Sequence, residues 1–194
     1  LEADYVSGYV SGWGVNPNPY GGSNSAEWDW GMTLDLAEDD EEAVEEVVPE
    51  AVKTALPQHI FRAYDIRGIY EDTLTLEAAR LIGRAIGSEV RRQGGDTLAL
   101  ARDGRLSGPA LLDALAEGVQ ACGCAVVDLG MVPTPVLYFA TWHYPGGNSG
   151  VMVTGSHNPP DYNGFKIVIN GTTLSGDALQ ALKQRIHDQD FSAA

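Results

Sequence analysis

The residues from Val151 to Lys166, VMVTGSHNPPDYNGFK, bring a hydroxyl, an imidazole and an ammonium group into one short stretch. Ser156 and His157 directly follow an apolar run, and a serine beside a histidine first suggests nucleophilic hydrolysis. The stretch lacks the G-x-S-x-G pattern of a nucleophile elbow. Adjacent side chains also project in different directions, so His157 is poorly placed to act as a base for Ser156. The pattern therefore argues against a serine hydrolase.

A second chemistry that suits Ser156 is the carriage of a phosphoryl group, which brings about −1.5 to −2 of charge and strong acceptor oxygens. Gly155 allows close approach of the backbone, and the two prolines after Asn158 restrict the loop. Lys166 could supply a cation, as could four arginines in the segments FRAYDIRG and ARDGRLSG: Arg62, Arg67, Arg102 and Arg105. The residues alone also leave open a plain turn, in which Ser156 and Asn158 bond to their own backbone.

Alternating helices and strands are expected to position these residues. Helices are predicted in TLEAARLIGRAIGSEVRRQG and SGPALLDALAEGVQACG, where apolar residues recur at the helical period, and in PTPVLYFATWHY and LSGDALQALKQRIHD, with Ser107 and Ser175 as expected N-caps. Buried strands are predicted in TLALARDG, AVVDLG, SGVMVTG and FKIVIN. This alternation predicts an α/β fold with a mostly parallel (mixed) sheet between helices. Ligand groups then gather beyond the carboxyl ends of the strands, where ARDGRLSG and TGSHNPPDYNG lie.

Negative charge is concentrated near the N-terminus. Residues 1–56 contain 13 acidic residues and one lysine, within a formal net charge of −15 for the 194-residue chain. Dense like charge stays solvated, so we expect an irregular, acidic, disordered tail or linker over 1–56 and one folded domain over 57–194. The alternatives are a short helix over 41–48, and a tail that joins the domain to a larger, membrane-associated upstream part.

Composition disfavours several classes of function. A net charge of −15 argues against nucleic acid and anionic membrane surfaces as partners. No apolar run approaches the roughly 18 residues of a membrane span, and no signal peptide opens the sequence. Cys122 and Cys124 are too closely spaced for an ordinary disulfide or a paired zinc site. We therefore expect buried, reduced thiols and a cytoplasmic location.

Four segments, in order, resemble the landmarks of one enzyme family. TGSHNPPDYNGFK resembles the phosphoserine loop of the α-D-phosphohexomutase superfamily, IFRAYDIRG its opening segment, and RDGRLSG and GMVPTPVLYFA its next two landmarks. The glycine before Ser156 and the run HNPPDYNGFKIV are most similar to the bacterial phosphomannomutase/phosphoglucomutase branch. The resemblance covers about residues 57–194 and corresponds to the N-terminal domain, the first of the family's four.

This resemblance implies an isomerase of the phosphotransferase type. Ser156 would hold a phosphoryl group and pass it to mannose or glucose monophosphate, so that the 6-phosphate and the 1-phosphate interconvert through a bisphosphate. Beside Ser156, the implied catalytic residues are His157 and Lys166, the substrate-binding residues are Tyr64, Arg67 and Asn158, and the residues that support the loop are Gly155 and Arg105. Structural alternatives stay open: Lys166 could face water, Asn158 could shape the turn, and Arg105 could form a local salt bridge.

The same resemblance implies Mg²⁺ as cofactor, bound through the phosphate on Ser156. The chain has no D-x-D-x-D sequence, so the remaining ligands are expected in a downstream domain. One oxygen ligand holds magnesium poorly, and we expect the domain alone to be inactive. The competing hypothesis is a non-catalytic module that binds phosphate or a partner through the same loop.

Overall fold

The computed structural model describes residues 56–144 and 147–194. The strands are β1 (Ile66–Ile69), β2 (Thr97–Arg102), β3 (Ala125–Met131), β4 (Gly150–Val153), β5 (Tyr162–Ile169) and β6 (Thr172–Thr173). The helices are α1 (Leu76–Arg92), α2 (Gly108–Gln120), α3 (Thr134–His143) and α4 (Asp177–His187). No helix in these two ranges is long and apolar enough to cross a membrane. The predicted acidic tail and the alternative helix over 41–48 lie outside the described residues.

The strands form one mixed sheet in the order β1-β5-β4-β2-β3, with β6 paired to β5. β2 is parallel to both β3 and β4, whereas β5 is antiparallel to β1, β4 and β6. This arrangement confirms the predicted α/β fold with a mixed sheet. β1 and β6 were not among the predicted strands. β1 (IRGI) is not a continuous apolar run, because it contains an arginine and a glycine, and β6 has only two residues.

Helices cover both faces of this sheet. Leu98 and Leu100 of β2 belong to the larger core, which α1, α2 and α4 complete. The alternate residues Ala99 and Ala101 face the other way and pack with Leu137 of α3. Since successive side chains of a strand point to opposite faces, one strand contributes to both cores.

Helices α1 and α2 approach each other at two glycines. A Cβ atom on Gly83 would lie 2.2 Å from the carbonyl oxygen of Leu115. A Cβ atom on Gly118 would lie 2.0 Å from the carbonyl oxygen of Arg80. The helix backbones are therefore in direct contact, and this contact anchors α2 at a fixed distance from the sheet.

Of the two expected serine N-caps, Ser107 is confirmed in position and Ser175 is wrong. Ser107 occupies the N-cap position of α2, but its backbone is helical (φ −73°, ψ −13°) and its side chain makes no cap bond. An N-cap normally needs an extended backbone to aim its oxygen at the first helical N–H groups. The Ser107 hydroxyl instead accepts a hydrogen bond from Asn163 Nδ2 at 2.9 Å. The N-cap of α4 is Gly176, not Ser175.

Cys122 and Cys124 follow the end of α2, and both are free and buried, as predicted. Burial raises the pKa of the Cys124 thiol, because a thiolate loses its hydration there. These sulfur atoms therefore act as small apolar groups of the core.

We predict that Gly118→Ala lowers the free energy of unfolding by about 2–3 kcal/mol, measured by urea denaturation. Alanine favours a helix by up to roughly 1 kcal/mol, but a backbone oxygen at 2.0 Å cannot rotate away from the new methyl group. Gly104→Ala is the control, because its Cβ atom would meet only Met131 Sδ, at 3.7 Å. Equal stability of Gly118→Ala and the unmodified chain would contradict the prediction.

Candidate active site

Two loops meet at the carboxyl ends of β2 and β4. One runs over residues 103–107 between β2 and α2, and the other over residues 154–161 between β4 and β5. The Asp103 N–H donates to the carbonyl of Val153 at 3.0 Å, so the two loops begin side by side. They lie together because β2 and β4 are parallel neighbours, and their carboxyl ends share one edge of the sheet.

Ser156 is exposed and has a left-handed backbone, with φ of 52°. A non-glycine residue in this region carries a strain of about 1–3 kcal/mol, which its surroundings must offset. The Ser156 N–H donates to Thr154 Oγ1 at 2.9 Å. Asn158 donates to the Gly155 carbonyl from its backbone N–H (3.1 Å) and from Nδ2 (3.0 Å). In this structure Asn158 therefore shapes the turn that presents Ser156.

The guanidinium group of Arg105 holds the same loop from the side. It donates to four backbone carbonyls at distances of 2.5 to 3.2 Å, those of Ser156, Asn158, Pro159 and Tyr162. Gly155 is required beside it, because a Cβ atom there would lie 2.1 Å from Arg105 Cζ. One planar cation thus replaces the hydrogen bonds that the loop cannot make within itself.

Asp103 links both loops and was not among the predicted site residues. Its Oδ2 accepts from Thr154 Oγ1 at 2.8 Å and from the Gly155 N–H at 3.2 Å. Its Oδ1 accepts from the Arg105 N–H at 3.0 Å. Because phosphate binding requires positive charge, the sequence patterns did not point to this carboxylate. Its position directly after a buried strand is the signal that could have indicated a role.

Arg67 of β1 also bonds the Ser156 loop. It is buried, and its Nη1 donates to the Gly155 carbonyl at 2.6 Å. Its Nη2 pairs with Asp65 Oδ2, the oxygen that also accepts from Lys166 Nζ at 3.2 Å. Asp65 is a second site residue that the sequence patterns did not single out. Contact of Arg67 and Lys166 with substrate stays a prediction.

Tyr64 and His157 complete the predicted set. The Tyr64 residue is 77% exposed, and His157 is exposed on the loop. Among the predicted residues, Arg67, Arg105, Gly155 and Asn158 thus meet at the Ser156 loop, and Lys166 joins them through Asp65. Contact of Tyr64 and His157 with a substrate also stays a prediction.

Comparison with known proteins agrees with this geometry. Residues 58–193 match the family model described as phosphoglucomutase/phosphomannomutase, alpha/beta/alpha domain I. A phosphomannomutase/phosphoglucomutase from Pseudomonas aeruginosa is 59% identical over 138 residues, which are 71% of this chain and 30% of the relative. A phosphoglucomutase from Neisseria meningitidis is 53% identical over 140 residues, or 72% of this chain and 30% of the relative.

A solved structure gives the same result in three dimensions. The crystal structure of a phosphoglucomutase/phosphomannomutase family protein from Burkholderia thailandensis matches with a TM-score of 0.69 and 55% identity, covering 72% of this chain and 32% of the other. The chain therefore belongs to the phosphoglucomutase/phosphomannomutase family and contains its domain I. It spans about 30% of the length of the curated relatives it matches.

We predict that Arg105→Lys loosens the Ser156 loop. A lysine ammonium cannot reproduce a planar group bonded to four carbonyls, and each lost bond is worth about 0.5–1.5 kcal/mol. Amide hydrogen exchange of peptides covering residues 154–162 should accelerate roughly tenfold or more, which corresponds to about 1.4 kcal/mol. Arg91→Lys, at an exposed position of α1, is the matched control. Unchanged exchange in Arg105→Lys would show that the loop is held by other contacts.

Proposed function

We propose that this domain carries the phosphoryl group of a phosphohexomutase on Ser156. The observation that supports the proposal is the exposed, left-handed Ser156 on a loop whose backbone is bonded by Arg105, Arg67 and Asp103. Rigid placement of a reacting group lowers the entropy lost in reaching the transition state. The loop therefore suits a phosphoryl group that stays in one position while it is transferred to or from two different hydroxyls of a sugar.

The reaction we propose is reversible phosphoryl transfer between Ser156 and a hexose monophosphate. A sugar hydroxyl attacks the phosphorus, the bond from phosphorus to Ser156 Oγ breaks, and the proton of the sugar hydroxyl passes to a base. Ser156 Oγ then attacks the other phosphorus of the bisphosphate, the bond from that phosphorus to its sugar oxygen breaks, and a proton passes from the serine hydroxyl to the freed sugar oxygen. The net result interconverts the 6-phosphate and the 1-phosphate of mannose or glucose.

Nearby side chains have chemistry that suits this transfer. His157 adjoins Ser156 in the exposed part of the loop and could exchange the proton of the reacting hydroxyl. Lys166 and Arg67 carry positive charge that would stabilise the phosphoryl oxygens as negative charge shifts between them. Tyr64, being exposed, could contact the sugar directly.

Magnesium fits this proposal only in part. The described residues contain no group of three or more His, Cys, Asp or Glu side chains that could hold a metal ion. Two carboxylates bonded to the loop or to Arg67 are already engaged, since Asp103 accepts from Thr154 and Gly155 and Asp65 pairs with Arg67. A phosphate on Ser156 would therefore supply one oxygen ligand, and the others would come from elsewhere in the protein. When bound, Mg²⁺ would neutralise negative charge on the transferred group.

The remaining parts of the proposal concern the whole protein. Because the chain spans about 30% of its relatives, we assign sugar recognition and the rest of the metal site to residues outside it. The described domain alone would then be inactive. We also propose a reducing compartment such as the cytoplasm, which the free, buried Cys122 and Cys124 support.

We predict that Ser156→Ala in the native full-length polypeptide abolishes mutase turnover with glucose 1-phosphate and mannose 1-phosphate. Alanine has no oxygen to carry the phosphoryl group, so intact-mass measurement should show one phosphoryl adduct on the unmodified protein and none on Ser156→Ala. Residual activity should be at least about 10³-fold lower, since the covalent intermediate is removed.

Ser192→Ala is the matched control, because Ser192 lies against Ser88 in α1, away from the Ser156 loop, and should keep both adduct and turnover. Normal turnover in Ser156→Ala would refute the proposal. An adduct on Ser156 without any mutase turnover in the full-length protein would favour the non-catalytic phosphate-binding module.

A further inference from the structure

Asp65 is a carboxylate shared by two cations. The same oxygen, Oδ2, accepts from Arg67 Nη2 and, at 3.2 Å, from Lys166 Nζ. The side chains of Asp65 and Arg67 are 12% and 6% exposed, whereas that of Lys166 is 28% exposed. The three charged groups therefore form a partly buried cluster in which only the ammonium has substantial access to solvent.

The register of β1 and β5 brings these groups together. Ile66 of β1 pairs with Phe165 of β5, so the residue before Ile66 lies beside the residue after Phe165. Arg67 and Lys166 lie on the face of the sheet opposite the large core, because their neighbours Ile66 and Phe165 both belong to that core. Asp65 is thus placed where a single carboxylate reaches both cations.

The two cations differ in their freedom. Arg67 is buried and already donates to the Gly155 carbonyl at 2.6 Å, which fixes one side of its guanidinium. Lys166 has a flexible four-carbon side chain that ends in a rotatable ammonium, and its side chain is 28% exposed. The bond from Lys166 to Asp65 determines where the ammonium lies. The cluster contains two cations and one carboxylate, so it has one positive charge in excess.

We propose that Asp65 is a positioning residue that holds the Lys166 ammonium beside Arg67, ready for the phosphoryl group on Ser156. This inference rests on the proposed function of Ser156. Asp65 does not contact the phosphoryl group itself, because the carboxylate and the phosphoryl group are both negatively charged and repel each other. It acts by limiting the positions of Lys166, so that the excess positive charge of the cluster stays beneath the reacting loop.

A purely structural role for Asp65 has a different consequence. A buried arginine that loses its counter-charge is destabilising by several kcal/mol, so Asp65 could act only by neutralising Arg67. In that case its removal would lower activity by disturbing the loop, whether or not Lys166 is present. The two roles therefore differ in how the effects of Asp65 and Lys166 combine.

A double-mutant cycle in the native full-length polypeptide separates these roles, with kcat and KM measured for glucose 1-phosphate and mannose 1-phosphate. Asp65→Asn should lower kcat by about tenfold or more and change KM less than about threefold. Asp65→Asn with Lys166→Met should be no slower than Lys166→Met alone, within about threefold, because both changes remove the same function. Losses that multiply across the cycle would overturn the inference.

A conservative variant keeps the test decisive if Asp65→Asn folds poorly. Asp65→Glu keeps the counter-charge of Arg67 but moves the carboxylate by one methylene, so its thermal unfolding midpoint should stay near the original while kcat falls about fivefold or more. Full kcat in Asp65→Glu would overturn the inference. Asp113→Asn, at an exposed position of α2, is the matched control and should leave kcat unchanged.

The assay of Ser156→Ala, run beside this cycle, distinguishes the two levels of the proposal. If Ser156→Ala retains turnover, the phosphoryl-carrier function itself fails. If Ser156→Ala is inactive and the effects of Asp65→Asn and Lys166→Met multiply, only the role of Asp65 fails.

Discussion

The left-handed backbone of Ser156 depends on hydrogen bonds that come from outside its own loop. A strain of about 1–3 kcal/mol is comparable to two or three ordinary hydrogen bonds, each worth about 0.5–1.5 kcal/mol. Arg105 and Asp103 from the β2–α2 loop and Arg67 from β1 supply more bonds than that to residues 154–162. The β2–α2 loop and β1 therefore add to the bonds that Thr154 and Asn158 make within the loop itself.

Charge around this loop is arranged in two groups with different tasks. Arg105 bonds backbone carbonyls, and Asp103 bonds the Thr154 hydroxyl and backbone N–H groups, so they fix the shape of the loop. Lys166, Arg67 and Asp65 carry a net positive charge, which would suit the phosphoryl group that we propose for Ser156. The close contact of α1 and α2 at Gly83 and Gly118 supports the first group, since α2 follows directly from the loop that carries Arg105.

The predictions from sequence succeeded where a single segment carries enough information. Local sequence patterns identified the four α-helices of the described residues and the strands β2, β3, β4 and β5, and the motif around Ser156 identified the family. The predictions were wrong for the cap at Ser175, and Ser107 holds the expected N-cap position without a side-chain bond, because the backbone conformation of one residue decides whether that bond forms. The roles of Asp65 and Asp103 were missed, because each depends on a partner from a distant part of the chain: Asp65 bonds Lys166 and Asp103 bonds Thr154.

Local composition and order along the chain thus determined the types of element, the mixed α/β class and the serine that would carry the chemistry. The tertiary structure alone decided which charges meet that serine. The reason is physical: a strand register and a parallel pairing bring Asp65 to Lys166 and Asp103 to Thr154 across separations of 101 and 51 residues, and no local propensity specifies such contacts.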